Sequence, residues 1–110
     1  MAELPDVTDE TFARDVLSST TPVLVDFWGD HCPACIQIAP VLKQLAGEYA
    51  GRVSIVKVHA ADNPSTAGKL GIRAMPTVLA FAKGQVVGQL VGARRRADFA
   101  ELIERALGAS

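Results

Sequence analysis

Two short apolar runs bracket a long helical stripe, and this limits the possible folds more than any other feature of the chain. Val23-Leu24-Val25-Asp26-Phe27-Trp28 reads as a strand covered on both faces, the habit of a parallel sheet. Ile38, Leu42, Leu45 and Tyr49 then share one face of a helix that Pro33 opens, Pro40 should kink and Gly51 closes. Val53 to His59 follows as a second strand, with β-branched Ile55, Val56 and Val58. Strand, helix, strand over this length is a βαβ unit, expected to be right-handed.

The flanking segments extend the pattern. Glu3 to Val7 is a weak strand that Pro5 confines to a sheet edge. Thr8 reads as a helix N-cap, with Asp9 and Glu10 in the first turn and Phe12, Val16 and Leu17 as an apolar stripe. Asn63-Pro64 opens a short helix that ends near Gly71. Thr77 to Phe81 and Gln85 to Val91 flank a Lys83-Gly84 turn, so those strands must be antiparallel. Phe99, Leu102, Ile103 and Ala106 mark a last helix. The order βαβαβαββα predicts a three-layer α/β fold with helices on both faces of the sheet.

A chain of 110 residues is expected to form a single domain, 1–110. With 49% apolar and 21% charged residues, collagen-like, coiled-coil and disordered classes are excluded. Eleven basic against twelve acidic residues give a net charge of −1, which speaks against a nucleic-acid partner bound through its phosphates. No apolar run approaches the roughly 18 residues of a membrane span. The opening MAELPDVTDE lacks a basic region followed by an apolar one, so a cytoplasmic protein without membrane association is expected.

The two cysteines, Cys32 and Cys35, close too short a loop to contribute much stability as a disulfide. Cys32 falls at the N-cap of the predicted helix, where unpaired N–H groups and the helix dipole favour a thiolate. Cys35 lies about one turn on, on the same face and within disulfide reach. Cys32 is thus the exposed nucleophile and Cys35 the inward, resolving thiol. A zinc site or two inert thiols are the alternatives. Zinc would need further ligands, and His31 and His59 fit no common spacing, so no metal is expected.

Several separated segments resemble the thioredoxin family across nearly the whole chain. They are Val25-Asp26-Phe27-Trp28, the CxxC motif, Ala39-Pro40, Val56-Lys57-Val58, Ile72-Arg73-Ala74-Met75-Pro76-Thr77, Phe81 with Lys83-Gly84, and Val91-Gly92-Ala93. The resemblance implies a central mixed five-stranded sheet flanked by four helices, and dithiol–disulfide exchange with protein disulfides. It implies no bound cofactor, with electrons passing from NADPH through a partner flavoprotein reductase. Nothing in the chain demands more than a monomer.

The resemblance also assigns roles. Asp26, costly to bury as a carboxylate among apolar neighbours, would be a proton relay behind Cys35. A solvent-facing acid at a strand end is the alternative. Lys57 on the neighbouring strand is either its partner or a snorkelling surface lysine. Pro76 would be cis and face the cysteines, whereas the residues alone allow an ordinary trans proline. Met75 would pair its backbone with an extended substrate segment, and Trp28 with Gly92 and Ala93 would complete an apolar rim. A simple core aromatic is the alternative for Trp28 read alone.

The chain departs from the family's common Trp-Cys-Gly-Pro-Cys-Lys with His31-Cys32-Pro33-Ala34-Cys35-Ile36. Pro33 removes one N–H and is expected to leave that of Ala34 facing the Cys32 sulfur, as in glutaredoxins and oxidising periplasmic thiol enzymes. A protonated His31 would further favour the thiolate, and Ile36 puts an apolar surface where a cation is usual. These changes predict a weaker reductant than a Gly-Pro thioredoxin. A dithiol oxidant, a glutathione-coupled enzyme and a non-catalytic binding module are the competing functions. Arg94-Arg95-Arg96 reads as a solvated turn, or as a patch that steers acidic partners.

Overall fold

The computed structural model describes residues 3–110. Among them, β1 (Val23–Trp28), β2 (Ser54–His59), β3 (Thr77–Ala82) and β4 (Gln85–Val91) form one mixed sheet in the order β2-β1-β3-β4. β1 and β2 are parallel, while β3 runs antiparallel to both β1 and β4. Helices α1 (Pro33–Glu48), α2 (Pro64–Lys69) and α3 (Arg96–Gly108), with a π-helical turn at Ala13–Leu17, cover the sheet. This is the α/β thioredoxin fold.

The period-2 alternation of β1 divides the core in two. Leu24 packs with Ile38, Leu42 and Leu45 of α1 and Phe99 and Ile103 of α3. Val23, Val25 and Phe27 face the other way, against Phe12 and Val16. Asp26 is two residues from Leu24, so the alternation aims its carboxyl at the α1 side. The same parity puts Lys57 with Ile55 on that side of β2, and the register sets Asp26 directly opposite Lys57.

The expected first strand shrinks to a single bridge, Asp6 opposite Lys57, so four strands stand where five were expected. Val7 N–H donates to Lys57 O at 2.8 Å, and Lys57 N–H donates to Pro5 O at 2.9 Å. Extending a parallel ladder toward Glu3 would require an N–H that Pro5 lacks.

The first helix also differs from expectation. Ser18 N–H reaches back five residues to Ala13 O at 2.9 Å, widening the turn. Phe12 and Val16 stay buried, but Leu17 rotates outward and is 42% exposed. Thr8 does not cap with its side chain; its N–H donates to Thr11 Oγ1 at 3.0 Å.

Helix α1 buries Cys35, Ile38, Leu42 and Leu45, and Tyr49 caps its end half-buried. Pro40 sits on the exposed side and does not end the helix. In α2 the expected cap is displaced. Asn63 Oδ1 accepts from Asp9 N–H at 2.9 Å, and the Asp9 carboxylate accepts from Thr66 N–H at 2.8 Å and Ser65 N–H at 3.3 Å. A residue 57 positions from Thr66 thus satisfies the helix start. The β3–β4 turn has φ of +52° at Lys83 and +75° at Gly84, the two positive values of a type I′ hairpin. Helix α3 buries Phe99, Leu102, Ile103 and Ala106, the stripe read from the sequence. Among the described residues, no helix is long and apolar enough to cross a membrane.

Asp9→Ala is expected to lower the melting temperature by uncapping α2. Hydrogen bonding to Thr66 holds the Asp9 carboxyl below its ordinary value of 3.8. Its contribution is therefore present above that value and lost as pH falls through the lower folded-state value. Thermal melts should show a gap between wild type and variant near neutral pH that closes in strong acid.

Candidate active site

The site is assembled where β1 gives way to α1. His31 takes a left-handed φ of +52° and lies exposed, turning the chain into Cys32. Cys32 is the N-cap of α1, and Pro33 occupies the first turn, where a missing N–H costs nothing. Cys32 and Cys35 are joined as a disulfide with Cα atoms 5.3 Å apart. The two sulfurs differ in access: Cys35 is 6% exposed, while Cys32 is half-buried at the lip. Cys32 Sγ accepts from Cys35 N–H at 3.2 Å, so this donor, rather than the expected Ala34 N–H, faces the sulfur. The Pro33 ring is exposed, Ala34 is half-buried, and Ile36 is 73% exposed beside the disulfide.

The Met75-Pro76 bond is cis, and Met75 O lies 3.7 Å from Cys32 Sγ. Two hydrogen bonds hold this loop. Thr77 Oγ1 donates to Ala74 O at 2.6 Å, and Gly92 N–H donates to Pro76 O at 2.9 Å. Gly92 is thereby brought beside Pro76, with exposed Ala93 next to it in the chain, and the exposed Met75 side chain packs near Gly29.

Beneath the disulfide, Asp26 is 4% exposed, and its Oδ1 has no hydrogen-bond partner among the described residues. Burial pushes its carboxyl up from 3.8 to about 7, against the downward pull of the Lys57 charge. A solvent-facing Asp26 is therefore ruled out. A cleft of about 310 Å³ joins Asp26, Lys57, Trp28 and Ile36 to both cysteines. Lys57 Nζ lies 5.5 Å from the centre of the Trp28 ring, and its ion-pair partners are Glu3 at 3.8 Å and Asp6 at 3.9 Å, not Asp26.

Three features escaped the sequence reading. Glu3 and Lys43 form an ion pair of 2.6 Å at the cleft's edge. His59, weighed only as a metal ligand, packs edge-on to Trp28 with ring centres 4.5 Å apart. Its Nδ1 accepts from Asp62 N–H at 3.2 Å, which in the neutral ring leaves the proton on Nε2, 3.1 Å from Asp30 Oδ2. These pairs span up to 40 residues, and opposite charges that far apart carry no signal in one sequence. Among the described residues, no three His, Cys, Asp or Glu side chains are grouped to hold a metal. The arginine run is engaged within the fold: Arg94 Nε donates to Val91 O at 2.9 Å, Arg95 pairs with Asp98, and Arg96 pairs with Glu48 at the end of α1.

Such a site can exchange disulfides. The family model described as Thioredoxin matches residues 3–105. The chain is 49% identical over 104 residues to Thioredoxin C-2 of Corynebacterium nephridii, covering 94% of this chain and 96% of that protein. It is 42% identical over 107 residues to Thioredoxin of a Synechocystis strain, covering 97% of this chain and 100% of that protein. It is also 42% identical over 105 residues to Thioredoxin of Haemophilus influenzae, covering 96% of this chain and 98% of that protein.

The buried carboxyl makes stability depend on pH. Between 3.8 and about 7 the folded protein holds a proton that the unfolded chain has lost, so stability falls as pH rises through that window. Asp26→Asn removes the penalty. Urea denaturation is expected to find the variant close to wild type in acid and more stable above neutrality, by up to about 4 kcal/mol.

Proposed function

The chain belongs to the thioredoxin family and is a thiol–disulfide oxidoreductase without a bound cofactor, and from that premise we propose how its residues divide the work. In the reduced protein, the Cys32 thiolate attacks one sulfur of a target disulfide. The other target sulfur leaves as a thiolate, and a mixed disulfide to Cys32 remains. The Cys35 thiol gives its proton to Asp26 and attacks Cys32 Sγ. The second target sulfur leaves and is protonated, the target gains two electrons, and Cys32 and Cys35 become the disulfide. The proton on that departing sulfur is the one Asp26 took from Cys35, so Asp26 ends as a carboxylate.

The observation that carries this reading is the inequality of the two sulfurs: Cys32 stands at the lip of a helix N-terminus and Cys35 lies 6% exposed beneath it. Only the outer sulfur can meet a protein-sized target. Trp28, Met75, Pro76, Gly92 and Ala93 would receive the target, and the Met75 backbone, whose carbonyl lies 3.7 Å from Cys32 Sγ, would add to an extended target segment as a further strand. Lys57 stabilises the ionised stage of Asp26. His31, Pro33 and Ala34 tune the Cys32 thiolate.

Residues 1–110 act as one thioredoxin domain, monomeric and cytoplasmic. NADPH supplies the electrons through a flavoprotein reductase partner. A net oxidant is the second reading, favoured by Pro33 after the nucleophile and by the apolar Ile36.

Reduction of insulin disulfides is the direct test. Turnover is expected with dithiothreitol, and with NADPH plus a flavoprotein thioredoxin reductase. Cys32→Ser should abolish it, whereas a binding module would keep its partner activity in that variant. Equilibration with a glutathione redox buffer should place this protein above a Gly-Pro thioredoxin in potential; an equally low potential would remove the tuning assigned to the Pro-Ala pair.

A further inference from the structure

The N-terminal segment is fastened to β2 at one residue. Pro5 O and Val7 N bracket the Lys57 backbone, at 2.9 and 2.8 Å. This brings carboxylate oxygens of both Glu3 and Asp6 near the Lys57 ammonium, at 3.8 and 3.9 Å. Glu3 reaches across to Lys43 of α1 as well, at 2.6 Å. Glu3 and Leu4 therefore form part of the rim of the cleft whose floor is Asp26.

The register would allow a different arrangement. Lys57 is the direct cross-strand partner of Asp26, on the same face of the sheet. Yet the ammonium is paired outward, and Asp26 Oδ1 is left without a partner. A cation bound directly to Asp26 would lower its affinity for a proton and make it a poorer acceptor of the one on Cys35.

We propose that Glu3 and Asp6 are positioning residues of the redox reaction: they hold the Lys57 ammonium at the outer rim of the cleft, which leaves Asp26 free to exchange a proton with Cys35. The inference rests on the proton-relay reading of Asp26 and adds the residues that keep it uncompensated. Its route is electrostatic and short, from the strap to Lys57 to Asp26. The other charged or titratable groups facing this cleft are Lys43 of α1 and Asp30 and His31 of the β1–α1 loop. Exposed ion pairs such as Glu3–Lys57 contribute little to stability, so their removal leaves the fold in place. The raised value of Asp26 agrees with this arrangement, since burial outweighs the Lys57 charge.

The test is the titration of the Asp26 carboxyl, followed by its carbon-13 shift against pH in the full chain. In the double variant Glu3→Gln with Asp6→Asn, Lys57 is released to pair with Asp26, and the midpoint should fall by about one pH unit or more. In a Lys57→Met background the same double substitution should leave the midpoint where Lys57→Met alone sets it. An unchanged midpoint in the presence of Lys57 overturns the proposal. So does an equal fall without Lys57, which would mean direct repulsion between the acids. The underlying relay is read separately, from the rate at which Cys35 resolves a preformed mixed disulfide. If Asp26→Asn leaves that rate and its pH profile unchanged, the relay fails, whatever the strap does to the midpoint.

Discussion

The parallel pairing of β1 with β2 sets the geometry on which the rest of the molecule depends. Its register places Asp26 opposite Lys57, and its alternation turns both toward α1. At its carboxyl end β1 delivers the chain into the loop from which α1 starts, so the reactive sulfurs stand above the strand that carries the acid. One ladder thus aligns the outer sulfur, the inner sulfur, the carboxyl and the cation. A slip of one residue would turn Asp26 into the opposite core, against Phe12 and Val16.

The site works by contrast between neighbours. Cys32 and Cys35 are chemically identical, but the helix start leaves one at the lip and draws the other under the first turn. Asp26 and Lys57 are natural partners by register, yet the strap from Glu3 to Val7 pairs the lysine outward. Burial without compensation is unfavourable for stability and raises the proton affinity of the carboxyl toward neutral pH. The cis Met75-Pro76 loop stands at the same end of the sheet as the cysteines and is joined to Gly92 by a backbone hydrogen bond of 2.9 Å.

Most of the fold was legible because its signals are local. The β-branched runs of β1 and β2, the Ile38-Leu42-Leu45 stripe and the Phe99-to-Ala106 stripe each fall within one element and repeat at that element's period. The boundaries that failed involve competition between backbone groups. Pro5 stops the edge strand by lacking one N–H, and a five-residue turn at Ala13–Leu17 swings Leu17 out of its stripe. The cap of α2 was assigned to the adjacent Asn63, because nothing local to that helix points to Asp9.

Spacing and residue type alone determined that this chain carries two sulfurs at the start of a helix, an acid inside an apolar strand and a βαβ frame to hold them. Those features follow from short-range sterics and hydrophobic periodicity, which act over a few residues. Tertiary structure decided which charges meet: Glu3 with Lys43 and Lys57, Asp9 with α2, His59 between Asp30 and Asp62. Coulombic partners are chosen by distance in space, and distance in space exists only once the sheet has set its register.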